Sequence, residues 1–79
     1  MNLYVKSWCP WCIDAVEWLK RRGIEFTQID VLQDARAYER MREISSQSLT
    51  PTLEMPDGSV LADFDVRQLE RFLEDQKAK

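Results

Sequence analysis

Leu3, Tyr4 and Val5 form a short apolar run edged by Asn2 and Lys6, which predicts a first strand. From Cys12 the apolar period lengthens: Cys12, Ala15, Val16 and Leu19 fall on one face of a helix running from Ile13 to Arg22. Gly23 stops it, and Lys20, Arg21 and Arg22 place positive charge in its last turn. Ile24 to Val31 alternates at Ile24, Phe26 and then Ile29, which predicts a second strand. Strand, helix and strand at this spacing make a parallel pair with a right-handed crossover. Asp34 is placed to cap a second helix, Ala35 to Ile44, with Ala37, Tyr38, Met41 and Ile44 inward. A polar loop, Ser45 to Thr50, precedes a strand over Thr52 to Met55 with Leu53 and Met55 on one side. Pro56-Asp57-Gly58 is a tight turn, and Ser59 to Ala62 returns as its hairpin partner. Asp63 or Asp65 then caps a final helix carrying Val66, Leu69, Phe72 and Leu73, and the tail from Gln76 to Lys79 is expected to fray. The order β-α-β-α-β-β-α predicts one α/β domain over residues 1–79, a four-stranded mixed sheet flanked by three helices.

Composition narrows the partners. The 79 residues carry 11 basic and 14 acidic side chains, a net charge of −3, which argues against nucleic acid. Lys20-Arg21-Arg22 and Arg40 to Arg42 read as solvated helix faces. No apolar run approaches the roughly 20 residues of a membrane span, and Lys6 and the cysteines interrupt any signal-peptide core. The expected setting is the cytoplasm, and the expected state a monomer.

The chemistry lies in Cys9-Pro10-Trp11-Cys12, which contains both cysteines of the chain. The loop follows the carboxyl end of the first strand, where open α/β sheets place their sites, and it opens a helix, whose unpaired N–H groups and dipole favour an anion. A thiolate is such an anion and is the form of cysteine that attacks disulfides. Cys9, first in the motif, is expected to be the more exposed thiol and the attacker. Cys12, one turn deeper on the apolar face, is expected to be buried and to resolve the mixed disulfide by forming Cys9–Cys12. Pro10 suits the first helical turn, where a missing N–H costs nothing. Lys6 can lie beside the thiolate or take a substrate carboxylate, and Trp8 and Trp11 offer flat apolar surface. Trp11, Ala15 and Trp18 share a helical stripe that reads either as loop packing or as a docking surface. Asp14 stabilises the first turn but opposes a nearby thiolate.

Other uses of the pair are weaker. With two cysteines and no histidine, the chain lacks the four ligands of a structural zinc site, and no metal is expected. A structural disulfide would close a very short loop and tend to be reduced in a cytosol. A [2Fe–2S] cluster shared by two chains through Cys9 and exogenous thiols is a carrier alternative, and an interaction domain with idle cysteines is another.

With these residues in hand, the chain resembles a glutaredoxin, or a glutaredoxin-like redoxin of the NrdH type, within the thioredoxin superfamily. The resemblance rests on Tyr4-Val5-Lys6, Ser7-Trp8-Cys9-Pro10-Trp11-Cys12, the Thr50-Pro51 step and Phe64-Asp65. It implies a thioredoxin-like (glutaredoxin) fold and a dithiol–disulfide oxidoreductase that reduces protein or glutathione mixed disulfides. Glutathione is then the expected co-substrate, with no bound cofactor; the alternative donor is thioredoxin reductase. Pro51 would be a cis-proline facing the cysteines, and the Thr50 backbone would pair with the bound thiol. Trp11 stands where the family usually has Tyr or Phe. Lys6 and Gln47 match positions that hold the glycine carboxylate of glutathione, and Phe64 and Asp65 the pair that holds its γ-glutamyl end. The family's usual Gly-Gly is replaced by Ala62-Asp63, which sets a negative charge beside a carboxylate site, and Thr50 and Asp14 depart from the common Val and basic residue.

Overall fold

The first strand, β1 (Asn2–Val5), lies inside the sheet, and Leu3, Tyr4 and Val5 are all buried because helices cover both of its faces. The computed structural model describes residues 1–77. In it β1 pairs in parallel with β2 (Thr27–Asp30) and antiparallel with β3 (Thr52–Glu54), and β4 (Val60–Ala62) pairs antiparallel with β3. The sheet order is β2-β1-β3-β4. The helices are α1 (Pro10–Arg21), α2 (Ala35–Ser45) and α3 (Val66–Lys77), so the element order is the expected one.

Register divides the core in two. Leu3 stands opposite Leu53, and Leu53 opposite Leu61. With Val5 this row meets Cys12, Ala15 and Leu19 of α1 and Leu69 of α3. Tyr4, one residue out of phase, faces the other side with Val31, and there packs with Met41 of α2. Period-two alternation in β1 thus assigns α1 and α3 to one face and α2 to the other.

Several boundaries move. Helix α1 begins at Pro10, ahead of the apolar run from Ile13, as expected of a proline in a first-turn position that needs no N–H donor. Strand β2 is shorter than Ile24 to Val31: Ile24 and Phe26 pack against the core from the connection, so their alternation reflects burial rather than ladder pairing. Asp34 caps α2 as expected, its Oδ1 accepting from the N–H groups of Arg36 and Ala37. Asp65 rather than Asp63 caps α3: Gln68 N–H donates to Asp65 Oδ1 at 2.9 Å and Asp65 N–H donates to Gln68 Oε1 at 2.9 Å, a reciprocal capping box. Helix α3 runs through Gln76 and Lys77, the first two residues of the tail expected to fray; residues 78 and 79 lie outside the described residues.

On the α2 face Glu54 ties three elements together. Its Oε1 accepts from the Tyr4 hydroxyl at 2.8 Å and the Asn2 amide at 3.2 Å, and its Oε2 accepts from the Arg40 guanidinium at 2.8 Å. Arg40 is therefore more than a solvated basic residue. Burial alone would raise the Glu54 carboxyl, but donation from Tyr4, Arg40 and Asn2 outweighs it and holds the group below its ordinary value. The lowered folded-state value means stability that is present above the ordinary glutamate range and is lost as pH falls through that range toward the folded value. Glu54→Gln should cost about 1–2 kcal/mol at pH 7, since it removes the charge that strengthens three hydrogen bonds, and should flatten the acid limb of the stability profile. Urea melts of both proteins between pH 3 and 7 measure this; parallel acid limbs would contradict it.

Candidate functional site

The helix start puts Cys9 in a defined electrostatic setting. Cys9 is the N-cap of α1, with extended backbone angles (φ −80°, ψ 117°), and its Sγ accepts from Cys12 N–H at 3.3 Å. Cys9 N–H donates to the Lys6 carbonyl at 3.1 Å, and Ile13 N–H donates to the Cys9 carbonyl at 3.0 Å. The sulfur thus takes the place that a serine or aspartate oxygen has at an ordinary helix cap. Across from it the Thr50–Pro51 peptide bond is cis, as the resemblance implied. The Cys9 thiol donates toward the Thr50 carbonyl, 3.8 Å away, and Asp63 N–H donates to the Pro51 carbonyl at 2.9 Å. Separate hydrogen bonds to two adjacent carbonyls, Thr50 and Pro51, therefore tie the cap of α1 and the residue that precedes Phe64 to the proline edge.

Both sulfurs are covered. Cys9 was expected to be the more exposed, but the residue is 4% accessible and Cys12 2%. Distant segments take part in that burial: the Thr50 carbonyl lies 3.8 Å from Cys9 Sγ, and Phe64, some fifty residues away, is buried in the same apolar cluster as Cys9. What separates the two thiols is their surroundings rather than their exposure. Burial pushes the Cys12 thiol up, and its hydrogen bond with Cys9 adds to the effect. Cys12 is thereby kept protonated at neutral pH, while Cys9 Sγ has a backbone donor aimed at it.

The other residues singled out in the sequence are placed unequally. Thr50 and Pro51 are buried against the pair. Phe64 is in the core, so only its backbone can meet a ligand. Asp65 is exposed, with one carboxylate oxygen engaged in the α3 cap. Lys6 is half-buried, its ammonium 5.8 Å from the Trp8 ring centroid. Gln47 is spent internally: its Nε2 donates to the hydroxyls of Ser45 (2.8 Å) and Thr52 (3.0 Å), and its Oε1 accepts from Leu49 N–H at 2.6 Å. The tryptophan stripe splits in two. Ala15 is buried, and Trp18 is half-buried beneath the Arg22 guanidinium, 4.6 Å from its ring centroid. Trp11 stays 59% accessible and Trp8 67%. Sequence reasoning passed over Leu49, an exposed apolar side chain next to Thr50; its place beside the Thr-Pro step was the available signal.

Comparison with known proteins agrees with this geometry. The glutaredoxin family model matches residues 2–60. An uncharacterised glutaredoxin-like 8.6 kDa protein in the rubredoxin operon of Clostridium pasteurianum is 31% identical over 74 residues, covering 94% of this chain and 97% of that protein. Among solved structures, the thioredoxin-like protein BC3987 superposes with a TM-score of 0.79 at 31% identity, over 89% of this chain and 94% of that one. The glutaredoxin from Archaeoglobus fulgidus, 23% identical, shares the fold with a TM-score of 0.77 over 91% of this chain and 83% of its own. The fold is thioredoxin-like.

Proposed function

The chain belongs to the glutaredoxin family, and from that premise we propose that it is a dithiol–disulfide oxidoreductase acting through Cys9 and Cys12. The observation that carries the reading is the inequality of the two sulfurs: one caps a helix and accepts a backbone N–H, the other is buried and held as a thiol. Cys9 attacks one sulfur of the substrate disulfide, forming a mixed disulfide and releasing the first thiolate, which takes up a proton. Cys12 then attacks Cys9 Sγ, its proton passing to the departing second thiolate. Two electrons have left the protein sulfurs, the substrate has become two thiols, and Cys9–Cys12 is a disulfide. Because Cys9 is almost covered, the substrate must offer its sulfur on a narrow extended segment, and the Thr50 backbone is positioned to align it.

Two donors can restore the dithiol. Glutathione, the expected co-substrate, would meet Lys6, Trp11, Thr50, Pro51 and the backbone at Phe64 and Asp65. A reductase of the thioredoxin reductase type needs no tripeptide pocket, and two observations favour it: both Gln47 amide N–H donors are already used, and Asp63 brings a negative charge to the carboxylate end. A carrier role for a shared iron–sulfur cluster is disfavoured by the cover over Cys9 and by Pro10 in the first turn. Turnover of 2-hydroxyethyl disulfide with NADPH, under glutathione plus glutathione reductase and separately under thioredoxin reductase, tests the reading. Turnover with the second system exceeding the first is expected; no turnover with either would overturn the oxidoreductase reading.

A further inference from the structure

Asp63 occupies a left-handed backbone conformation, φ 52°, a region that favours glycine and tolerates Asn and Asp best among the rest. It is held there by its N–H bond to the Pro51 carbonyl, one residue from the Thr50 carbonyl that receives the Cys9 thiol. The residue is exposed, and among the described residues its carboxylate has no hydrogen bond or ion pair. Asp65, also exposed, adds a second carboxylate two residues on. Lys6, the cation before the cysteine loop, is held over Trp8 and pairs with neither. The wall beside the proline edge therefore carries two carboxylates with no ion pair among the described residues, Asp65 engaged in the α3 cap and Asp63 with no partner.

Resting on the dithiol reading above, we infer that Asp63 is a specificity-determining residue. It makes the site prefer disulfides bearing a cation close to the sulfur and disfavour those bearing carboxylates, glutathione disulfide included. For charges on the order of 5–10 Å apart in largely aqueous surroundings, one unit charge changes association by about two- to fourfold. Between a cationic and an anionic disulfide the contrast is then on the order of tenfold, and it weakens with salt because the Debye length shrinks to about 3 Å at 1 M. Protein substrates selected by this wall present Lys or Arg next to the reacting cysteine.

The test is a single-turnover reaction of the reduced protein with cystamine, 2-hydroxyethyl disulfide and dithiodiglycolate. Each turnover converts Cys9 and Cys12 to their disulfide and the small disulfide to two thiols. Rates are taken from acid-quenched, alkylated samples and divided by the rate of dithiothreitol with the same disulfide. The wild type should show a cystamine-to-dithiodiglycolate ratio of about ten at low salt, falling at 1 M NaCl. Asp63→Asn, which suits the same backbone and removes only the charge, should cut the ratio at least about threefold. Asp63→Gly should do the same and guards against a packing artefact of the first variant. Equal ratios in wild type and both variants would overturn the inference while leaving the dithiol reading intact. Failure of all three disulfides to react would overturn that reading and the inference with it.

Discussion

Cys9→Ser is expected to lower disulfide turnover by a factor on the order of 10³ or more, because no second group at the cap can act as nucleophile. The serine oxygen would still accept Cys12 N–H, so the helix start and the fold should survive; circular dichroism and a urea melt close to wild type check this. Cys12→Ser should behave differently. The attack by Cys9 remains, so exchange with glutathione mixed disulfides, which needs one thiol, continues. Reduction of a protein disulfide stops at the mixed disulfide, since the buried partner that would release it is gone. Parallel assays on a glutathionylated peptide and on a protein disulfide read both effects. Equal loss in both assays for Cys12→Ser, or substantial turnover by Cys9→Ser, would contradict the roles assigned here.

The second large effect is the dependence of Cys12 on pH. Burial pushes its thiol up to about 11, from an ordinary value of 9.0. At pH 7 its thiolate fraction is then about 10⁻⁴, roughly 100-fold below that of a thiol with the ordinary value. The same difference is a stability term. A folded value above the unfolded one means the contribution is fully present below about pH 9 and is lost as pH rises toward 11. The reduced protein should therefore lose stability across that window, while the oxidised protein, which has no thiol at either position, should not. Urea melts of the two redox forms between pH 8 and 11 show it as a widening gap in midpoint. Parallel curves would mean that Cys12 titrates as an ordinary thiol.

How much of this could be read in the sequence depended on how local each feature is. The Cys9–Cys12 spacing, Pro10 at the helix start, the Asp34 cap and the Pro56-Asp57-Gly58 turn are decided within four or five residues, and the structure has Asp34 as a cap and Gly58 at φ 92°. The cis Thr50–Pro51 bond came from family resemblance, since X–Pro bonds are cis only about 5–6% of the time in folded proteins. Features built by distant segments were hidden. The burial of Cys9 involves the Thr50 edge and a cluster that reaches Phe64, and the Glu54 network needs the register that sets Glu54 opposite Asn2. Gln47 looked like a ligand-binding amide because nothing local reveals that Ser45, Leu49 and Thr52 will use its hydrogen-bonding groups. Ile24 and Phe26 looked like strand because alternation marks burial, and burial does not require a ladder.

Two sulfurs three residues apart are chemically unlike, and site-resolved alkylation of the reduced protein reads that difference at each position. Native protein is exposed to iodoacetamide at pH 7, quenched at intervals, unfolded, labelled with a heavier reagent and digested. Label is expected on Cys9 well before Cys12, with Cys12 reacting only as pH is raised toward 11. Equal rates at neutral pH, or Cys12 labelled first, would contradict it.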